Sequence, residues 1–228
     1  MGRAAVLPTS GRELRERLST ARLYLLFTPA LCGERDPLGV LSAALPHVDL
    51  VQVRIKTGDA PTAARELHDW TARVLALTRD SGLPVIVNDR PDVAQSLAAH
   101  GCAGVHLGQD DCPPRIAREL LGPEALIGLS THSPAQVVRA LDEPIDYLGF
   151  GPVHATATKG YAHGLGAEAA WVAHLSAHVP LFPLGGIDAM NAGELSEIGR
   201  AAVSAAILSA RDPAAAARTL RELLEPTE

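Results

Sequence analysis

The chain contains only three cysteines, Cys32, Cys102 and Cys112, and their spacing fits neither a paired disulfide framework nor a zinc site. It also contains no apolar run of membrane-spanning length. Its first residues are charged and do not form the pattern of a secretory signal peptide. These absences predict a protein of the reducing cytoplasm that has no membrane partner.

Clustered positive charge is also absent. The 20 Lys and Arg residues are outnumbered by 26 Asp and Glu residues, and the net charge is −6. This balance argues against nucleic acid as a partner and leaves single positive side chains as local ligand contacts. What the chain does have is 47% hydrophobic residues in 228 positions, which is enough for a buried core.

Strand-like apolar runs alternate with alanine-rich stretches of helical spacing, and no linker-like stretch divides the chain. We predict eight strands, the number that a closed (β/α)8 TIM barrel of the α/β class requires. The prediction is a single domain over residues 1–228, with a short helical extension at about 10–20. A flavodoxin-like open sheet is the alternative, but it usually has fewer strands. The strands are predicted at Arg22–Thr28, Asp49–Ile55, Leu83–Asn88, Ala103–Leu107, Ala125–Leu129, Ile145–Phe150, Leu181–Leu184 and Ala201–Ile207.

Proline, glycine and polar capping residues delimit the helices between these strands. The segments Thr57–Ala60 and Gly151–Gly166 are predicted to be the mobile loops over the site. Helices are predicted, among others, at Gly11–Leu18, Pro37–Leu45, Pro91–His100, Ala167–Ala177 and Ala189–Ile198.

Acidic side chains follow two successive predicted strands. Asp89 comes after the third strand, and Asp110 and Asp111 come after the fourth. Neighbouring strand ends lie close together in a barrel, so two of these carboxylates can share Mg²⁺ with phosphate oxygens of a substrate. The alternative is a helix N-cap at Asp89 and a solvated loop acid at Asp110 or Asp111. We favour the metal site.

Gln52, Arg54 and Lys56 alternate along the second predicted strand, which places all three on one face. Buried charges must be paired or meet an anion, so a barrel strand with this inward face indicates an anionic ligand. The alternative is an edge strand whose charges face water. We favour the ligand-facing arrangement.

Two further segments have compositions typical of phosphate sites. Thr156, Thr158 and Lys159 offer two hydroxyl groups and one cation in the longest loop at a strand end. Gly185-Gly186 ends the seventh strand, where many barrels hold a phosphate with backbone N–H groups. A flexible surface loop and a tight turn are the respective alternatives.

Ser130 and His132 follow the fifth predicted strand. No nucleophile elbow or acidic partner accompanies them, so hydrogen bonding to a substrate is favoured over nucleophilic catalysis. His106, within the fourth strand, is predicted to be a hydrogen-bonded core histidine.

The motifs QVRIK, VNDR, GVHLGQDD, GLSTHS, DYLGFGPVHATATK and LGGI occur in this order across most of Leu23–Pro213. Together they resemble the thiamine phosphate synthase family. The resemblance implies a (β/α)8 barrel that joins hydroxymethylpyrimidine diphosphate to a thiazole phosphate and releases pyrophosphate. The implied partners are these small phosphorylated substrates, the implied cofactor is Mg²⁺, and a homo-oligomer is one option for the assembly.

The resemblance also implies a role for each candidate residue. Arg54, Lys56 and Lys159 are the implied catalytic groups, which stabilise the leaving pyrophosphate. The implied ligand contacts are Gln52, Arg54, Lys56, Asn88, Ser130 and Lys159 for the pyrimidine diphosphate, Thr156, Thr158 and Gly186 for the thiazole phosphate, and Asp89 and Asp111 for Mg²⁺.

Two positions depart from the family pattern. Ile55 stands where a glutamate is usual, and Ala205 stands where a serine is usual near the end of the eighth strand. Ser204 could take the place of that serine if the register slips by one residue. Two alternatives therefore stay open. One is a TenI-like thiazole tautomerase with His132 in its site, and the other is a non-catalytic barrel that binds thiamine-related phosphates.

Overall fold

The structure is a computed structural model that describes residues 10–55, 60–155 and 163–226. Eight parallel strands form a single sheet that curves into a barrel. The strands are β1 (Leu23–Phe27), β2 (Leu50–Val53), β3 (Val85–Asn88), β4 (Cys102–Leu107), β5 (Leu126–Thr131), β6 (Tyr147–Phe150), β7 (Leu181–Pro183) and β8 (Ala201–Val203).

Helices follow the strands and cover the outside of the barrel. Three of them begin with a side-chain cap followed by proline, the capping residues being Asp36, Ser133 and Asp212. The helices are α1 (Gly11–Thr20), α2 (Pro37–Ala44), α3 (Ala60–Thr78), α4 (Pro91–Ser96), α5 (Pro114–Leu121), α6 (Pro134–Ala140), α7 (Ala167–Ser176), α8 (Ala205–Leu208) and α9 (Pro213–Leu223).

The strand order shows that the sheet is a barrel. Neighbouring strands pair in the order β7-β6-β5-β4-β3-β2-β1-β8. A further parallel bridge between Leu184 and Ala202 brings the two ends of this order together. The predicted (β/α)8 barrel is confirmed, and the open flavodoxin-like sheet is wrong.

Side chains that alternate along the strands form two hydrophobic clusters, one inside the barrel and one beneath the helices. α1 extends the inner cluster at the amino-terminal end of the barrel, where Leu14 and Leu18 pack against it. Arg15 holds α1 in place through Asp146, which directly precedes β6, with 2.7 Å between Nε and Oδ1. Because α1 covers the amino-terminal end, the carboxyl-terminal end is left for a ligand.

The eighth strand is shorter than predicted, because it ends at Val203 and not at Ile207. The carbonyl oxygen of Ser204 accepts hydrogen bonds from the N–H groups of Ile207 and Leu208, and these bonds start α8. Alanine favours helix over strand, which explains why Ala205 begins a helix here. The carboxyl end of β8 therefore leads into a short helix.

The helix predicted at Ala189–Ile198 is wrong, since the chain forms turns there and a single 3₁₀ turn at Ala192–Leu195. The backbone N–H of Asp188 donates to Asn191 Oδ1 at 2.9 Å, and Asp188 Oδ1 accepts from Met190 N at 2.8 Å. Such side-chain bonds offer the backbone an alternative to helix.

Smaller differences concern where elements end. β2 ends at Val53, before its predicted end, and α4 ends at Ser96 before a 3₁₀ turn. β5 continues past its predicted end to Thr131, because β6 pairs with it as far as Phe150. Ser130 therefore lies within β5 and not in the loop after it. None of the helices in the described ranges is long and apolar enough to cross a membrane.

Candidate active site

A cavity opens at the carboxyl-terminal end of the barrel, the end at which this fold places its ligands. Barrel side chains form its floor, and residues that follow the strands form its rim. The predicted site residues that line it are Gln52, Arg54, Asn88, Ser130 and Gly186.

Gln52 of β2 and Arg54, which follows this strand, line the cavity. β2 lies between β1 and β3, so the alternative of an exposed edge strand is wrong. Gln52 is 2% exposed inside the barrel, and Arg54 lies at the mouth of the cavity. Burial lowers the pKa of the Arg54 guanidinium, and the charge of Asp89 offsets part of that effect. Among the described residues no ion pair includes Arg54, so its charge is available to an anion.

The structure brings Asp89 and Asp111 together beside the mouth of the cavity, from the loops after β3 and β4. Asp89 as a whole residue is exposed to solvent. Its carboxyl group, however, is largely buried and shares a hydrogen bond with the carboxyl group of Asp111. This burial, followed by the charge and hydrogen bond of Asp111, raises the pKa of Asp89 to about 6, whereas Arg54 and Asn88 lower it. The effect of Asp111 on Asp89 therefore exceeds that of Arg54 and Asn88.

The backbone holds Asp89 in this position. Its φ angle of 63° lies in the left-handed region, which aspartate tolerates better than most residues. The Asp89 N–H donates to the carbonyl oxygen of His106 at 2.8 Å, which joins the end of β3 to β4. The N-cap of α4 is Arg90, without a side-chain cap bond, so the alternative that Asp89 caps this helix is wrong.

The two acids that follow β4 differ in their contacts. The N–H of Gly108 donates to Asp111 Oδ2 at 2.6 Å, and the Asp111 carboxyl group also contacts that of Asp89. Asp110 is exposed and has no such contact among the described residues. Asp111 is therefore the partner of Asp89.

The raised pKa of Asp89 predicts how stability depends on pH in the absence of divalent cations. We expect the free energy of unfolding to fall as pH rises from about 4 to about 6. Over that range the folded chain keeps a proton on Asp89 that the unfolded chain has lost, so higher pH favours unfolding. Urea denaturation in a chelating buffer at several pH values measures this slope. The slope should flatten in Asp89→Asn, and an equal slope in both proteins would contradict the assignment.

Beneath the cavity, polar side chains form a hydrogen-bonded chain that the sequence analysis missed. Gln52 Nε2 donates to the Tyr24 hydroxyl at 2.7 Å, and the Tyr24 and Tyr147 hydroxyls are 2.9 Å apart. His106 continues the chain, with Nδ1 3.2 Å from the Tyr147 hydroxyl and Nε2 2.8 Å from Ser130 Oγ. His106 is 5% exposed and hydrogen-bonded, as the sequence analysis predicts.

Two glycines make room for this chain, and they are the sequence signal that could have revealed it. A Cβ atom on Gly128 would lie 2.2 Å from Tyr147 Cζ and 2.4 Å from His106 Nδ1. A Cβ atom on Gly149 would lie 3.3 Å from His106 Cε1. Glycine inside a strand indicates a close approach by a neighbouring group, and here that group is the Tyr147–His106 pair.

Gly128→Ala is therefore expected to destabilise the protein by roughly 1–3 kcal/mol, the usual cost of overfilling a packed interior. Gly193→Ala is the matched control, because its Cβ would meet nothing within 4 Å. Denaturant unfolding of the two variants checks this prediction. Equal stabilities would show that the interior relaxes around the added methyl group.

His132 also lines the cavity, but apart from Ser130. Its Nδ1 lies 2.5 Å from the carbonyl oxygen of Gly151, and its backbone N–H donates to Gln136 Oε1 at 2.6 Å. The described contacts of Ser130 are instead with His106 and Gln109. The arrangement agrees with a binding role for His132 and does not pair it with Ser130 as base and nucleophile.

The loops after β7 and β8 form the remaining wall. Gly186 has a φ angle of 65°, and a Cβ atom there would lie 2.5 Å from the carbonyl oxygen of Ala155, so only glycine fits. On the same wall, α8 begins at Ala205, after β8. Within the described ranges, no hydrogen bond uses the backbone N–H groups of Gly186, Ala205 or Ala206. The Ser204 hydroxyl donates its proton to the carbonyl oxygen of Leu26 at 2.7 Å. This proton is therefore not available to a ligand, as it would have to be if Ser204 replaced the serine that is usual in the family.

Four candidates lie outside the described residues, and so does the middle of each predicted mobile loop. These four candidate residues are Lys56, Thr156, Thr158 and Lys159.

The fold and the site define an α/β-barrel protein with a cavity at its carboxyl-terminal end, lined by Arg54 and flanked by the Asp89–Asp111 pair. The profile of one family, thiamine monophosphate synthase, matches residues 23–209. The chain belongs to this family, as its motifs predict.

Individual relatives agree with this membership. The chain is 41% identical over 209 residues to a thiamine-phosphate synthase of Azorhizobium caulinodans, a match that covers 89% of this chain and 94% of the relative. It is 42% identical over 215 residues to one of Thermus thermophilus, with 89% and 97% covered. Some relatives are longer: a thiamine-phosphate synthase of a Synechococcus species is 40% identical over 220 residues, which is 95% of this chain but 59% of that protein.

Solved structures give the same result for the fold. The thiamine phosphate pyrophosphorylase of Pyrococcus furiosus superimposes with a TM-score of 0.76 and 29% identity, over 92% of this chain and 97% of that one. The 3-hexulose-6-phosphate synthase of Salmonella typhimurium superimposes with a TM-score of 0.65 and 18% identity, over 89% and 98% of the two chains, and shows the barrel alone.

Proposed function

We propose that this chain is a thiamine phosphate synthase, a transferase that joins the hydroxymethylpyrimidine group of a diphosphate to the nitrogen of a thiazole phosphate. The observation that carries the proposal is the meeting of Asp89 and Asp111 beside Arg54, whose charge no described carboxylate pairs. A diphosphate with a bound cation matches both charges of this arrangement. The names of the relatives agree with it.

Mg²⁺ fits the two acids. Burial and the adjacent charge of Asp111 raise the pKa of Asp89, so a cation bound between the two carboxylates would be favourable, and carboxylate oxygens are the ligands that Mg²⁺ takes. Within the described ranges, no group of three or more His, Cys, Asp or Glu side chains could hold a metal ion. Asp89 and Asp111 would therefore hold Mg²⁺ together with oxygens of the diphosphate, and the bound ion would supply positive charge for the leaving group.

Arg54 and Asn88 contact the same end of the ligand from β2 and β3. Arg54 binds the diphosphate and stabilises the charge that develops as the carbon–oxygen bond breaks. Asn88 is 9% exposed and lowers the pKa of Asp89, which favours the charged form of that carboxylate. Lys56 and Lys159 are proposed for the same leaving group from the family resemblance.

The thiazole phosphate is assigned to the wall formed by the loops after β7 and β8. The N–H groups of Gly186, Ala205 and Ala206 have no described acceptor and line this wall, which suits a phosphate. Backbone donors do not depend on the side chain, so Ala205 is compatible with this role. Thr156 and Thr158 are proposed as further contacts from the resemblance.

The reaction needs no strong base. The carbon–oxygen bond of the pyrimidine methylene breaks, and its electron pair leaves with pyrophosphate. The positive charge left on the methylene is delocalised into the electron-rich ring. The lone pair of the thiazole nitrogen then forms the new carbon–nitrogen bond, and no proton has to be removed. Proximity and fixed charge supply the acceleration.

Purified protein incubated with both substrates tests the proposal. We expect thiamine phosphate and pyrophosphate in equal amounts with Mg²⁺, and neither product in a chelator. Conversion of the thiazole carboxylate tautomer alone would favour the tautomerase. Binding of both substrates without product would favour the non-catalytic barrel. The predicted cytoplasmic location and homo-oligomeric state stay predictions.

A further inference from the structure

The five side chains of the interior hydrogen-bonded chain connect two points on the cavity surface. Gln52 and Ser130 lie at its two ends, and both line the cavity. Tyr24, Tyr147 and His106 lie between them; Tyr24 and His106 also border the cavity, but the three residues are only 1%, 0% and 5% exposed. A hydroxyl group buried to this degree has to give its proton to a partner within the protein.

This requirement fixes the direction of every bond in the chain. Tyr24 accepts an N–H from Gln52, so its own proton goes to Tyr147, its other hydrogen-bonded partner in the described structure. Tyr147 has then accepted one proton and gives its own to His106 Nδ1. Burial raises the pKa of both tyrosines, which keeps their protons in place.

The imidazole of His106 extends the same donor-to-acceptor direction to Ser130. In neutral histidine one ring nitrogen accepts and the other donates, so when Nδ1 accepts, Nε2–H donates to Ser130 Oγ. The proton of Ser130 is then directed to the cavity. At the other end, one of the two amide N–H groups of Gln52 is used within the chain; since Gln52 also lines the cavity, we infer that its carbonyl oxygen faces the ligand. The cavity thus offers an acceptor at Gln52 and a donor at Ser130.

We propose that Tyr24, Tyr147 and His106 are positioning residues that fix the donor and acceptor roles of Gln52 and Ser130, and thereby select an amino-substituted pyrimidine ring over an oxo-substituted one. An aminopyrimidine donates from its amino group and accepts at its ring nitrogens. The oxo form, with a protonated ring nitrogen, has these roles reversed. This inference rests on the proposed function for the identity of the ligand.

The interior hydrogen-bonded chain makes binding of the oxo ring energetically costly. To accept the oxo ring, Gln52 and Ser130 would both have to reverse, and each buried bond between them would have to reverse as well. A site with fixed polar groups rejects a mismatched ligand because it leaves those groups unpaired. If the chain is interrupted, the Gln52 amide turns independently of Ser130.

The test compares the affinity for hydroxymethylpyrimidine diphosphate with that for its oxo analogue, by calorimetry with Mg²⁺ present. We expect the wild-type protein to favour the amino form by about 100-fold. In Tyr24→Phe and in Tyr147→Phe this ratio should fall by about tenfold. The double variant should lose little more than either single variant, because both interrupt the same chain.

Ile86→Val is the matched control, since Ile86 belongs to the same interior cluster and has no polar group. It should lower the melting temperature without changing the ratio. An unchanged ratio in both tyrosine variants, or no preference in the wild-type protein, would overturn the inference. Because affinity is measured without turnover, a wild-type preference that the tyrosine variants lose would support the inference even if no thiamine phosphate forms.

Discussion

Asp111→Asn is expected to lower kcat/KM by at least about 100-fold while the protein keeps its fold. Asp111 lies in the loop after β4, outside both hydrophobic clusters, so its charge is not needed for packing. The amide keeps the shape of the carboxyl group but removes the negative charge that would bind Mg²⁺. Steady-state kinetics at several Mg²⁺ concentrations, with circular dichroism of the variant, measures both parts of the prediction.

Asp110→Asn is the control for Asp111→Asn. Asp110 is the adjacent residue and carries the same charge, but it is exposed and makes no described contact with Asp89. We expect its Mg²⁺ dependence to match that of the wild-type protein. If both variants lost activity equally, the effect would be one of overall charge in this loop, and the assignment of Asp111 would fail.

Arg54→Ala is expected to reduce kcat/KM by about 100- to 1,000-fold, the effect of removing one preorganised donor from a developing negative charge. It should also move the acidic limit of activity to higher pH, because Arg54 lowers the pKa of Asp89. The free energy of unfolding should change little, since no described ion pair is lost. A pH–rate profile together with urea denaturation checks all three expectations.

Arg115→Ala is the control for Arg54→Ala. Arg115 is an exposed arginine that pairs with Glu143 on the outside of the barrel. Its removal should leave both kcat and the pH profile unchanged. A loss of activity for Arg54→Ala that appears only in KM would limit the role of Arg54 to binding the diphosphate.

The barrel could be predicted from the sequence because most of its strands are short apolar runs that end in polar or glycine residues. The end of the eighth strand, and the absence of a helix before it, could not be predicted in this way. In Ala201–Ile207 every residue except Ser204 is apolar, so the turn at Ser204 leaves no trace in hydrophobicity. In the segment before it, Asp188 and Asn191 bond to the backbone and prevent the predicted helix.

Part of the candidate site could likewise be predicted from the sequence, and part could not. Arg54, Asp89 and the Asp110-Asp111 pair could be predicted as site candidates because they are charged residues at strand ends, where the fold itself brings neighbours together, and the family resemblance then singled out Asp111. The interior chain was missed because it depends on contacts across several strands. Tyr24 and Tyr147 are 123 positions apart, and single-sequence patterns carry no information on such a pair. Gly128 was the available clue, since a glycine inside a buried strand indicates a large neighbour.

The central claim is that one divalent cation is shared by Asp89, Asp111 and a diphosphate. The most direct measurement is the binding of Mn²⁺ followed by electron paramagnetic resonance, with and without inorganic pyrophosphate. We predict that pyrophosphate tightens Mn²⁺ binding to the wild-type protein by at least about tenfold, and that Asp89→Asn/Asp111→Asn abolishes this effect. Equal tightening in the double variant would contradict the account.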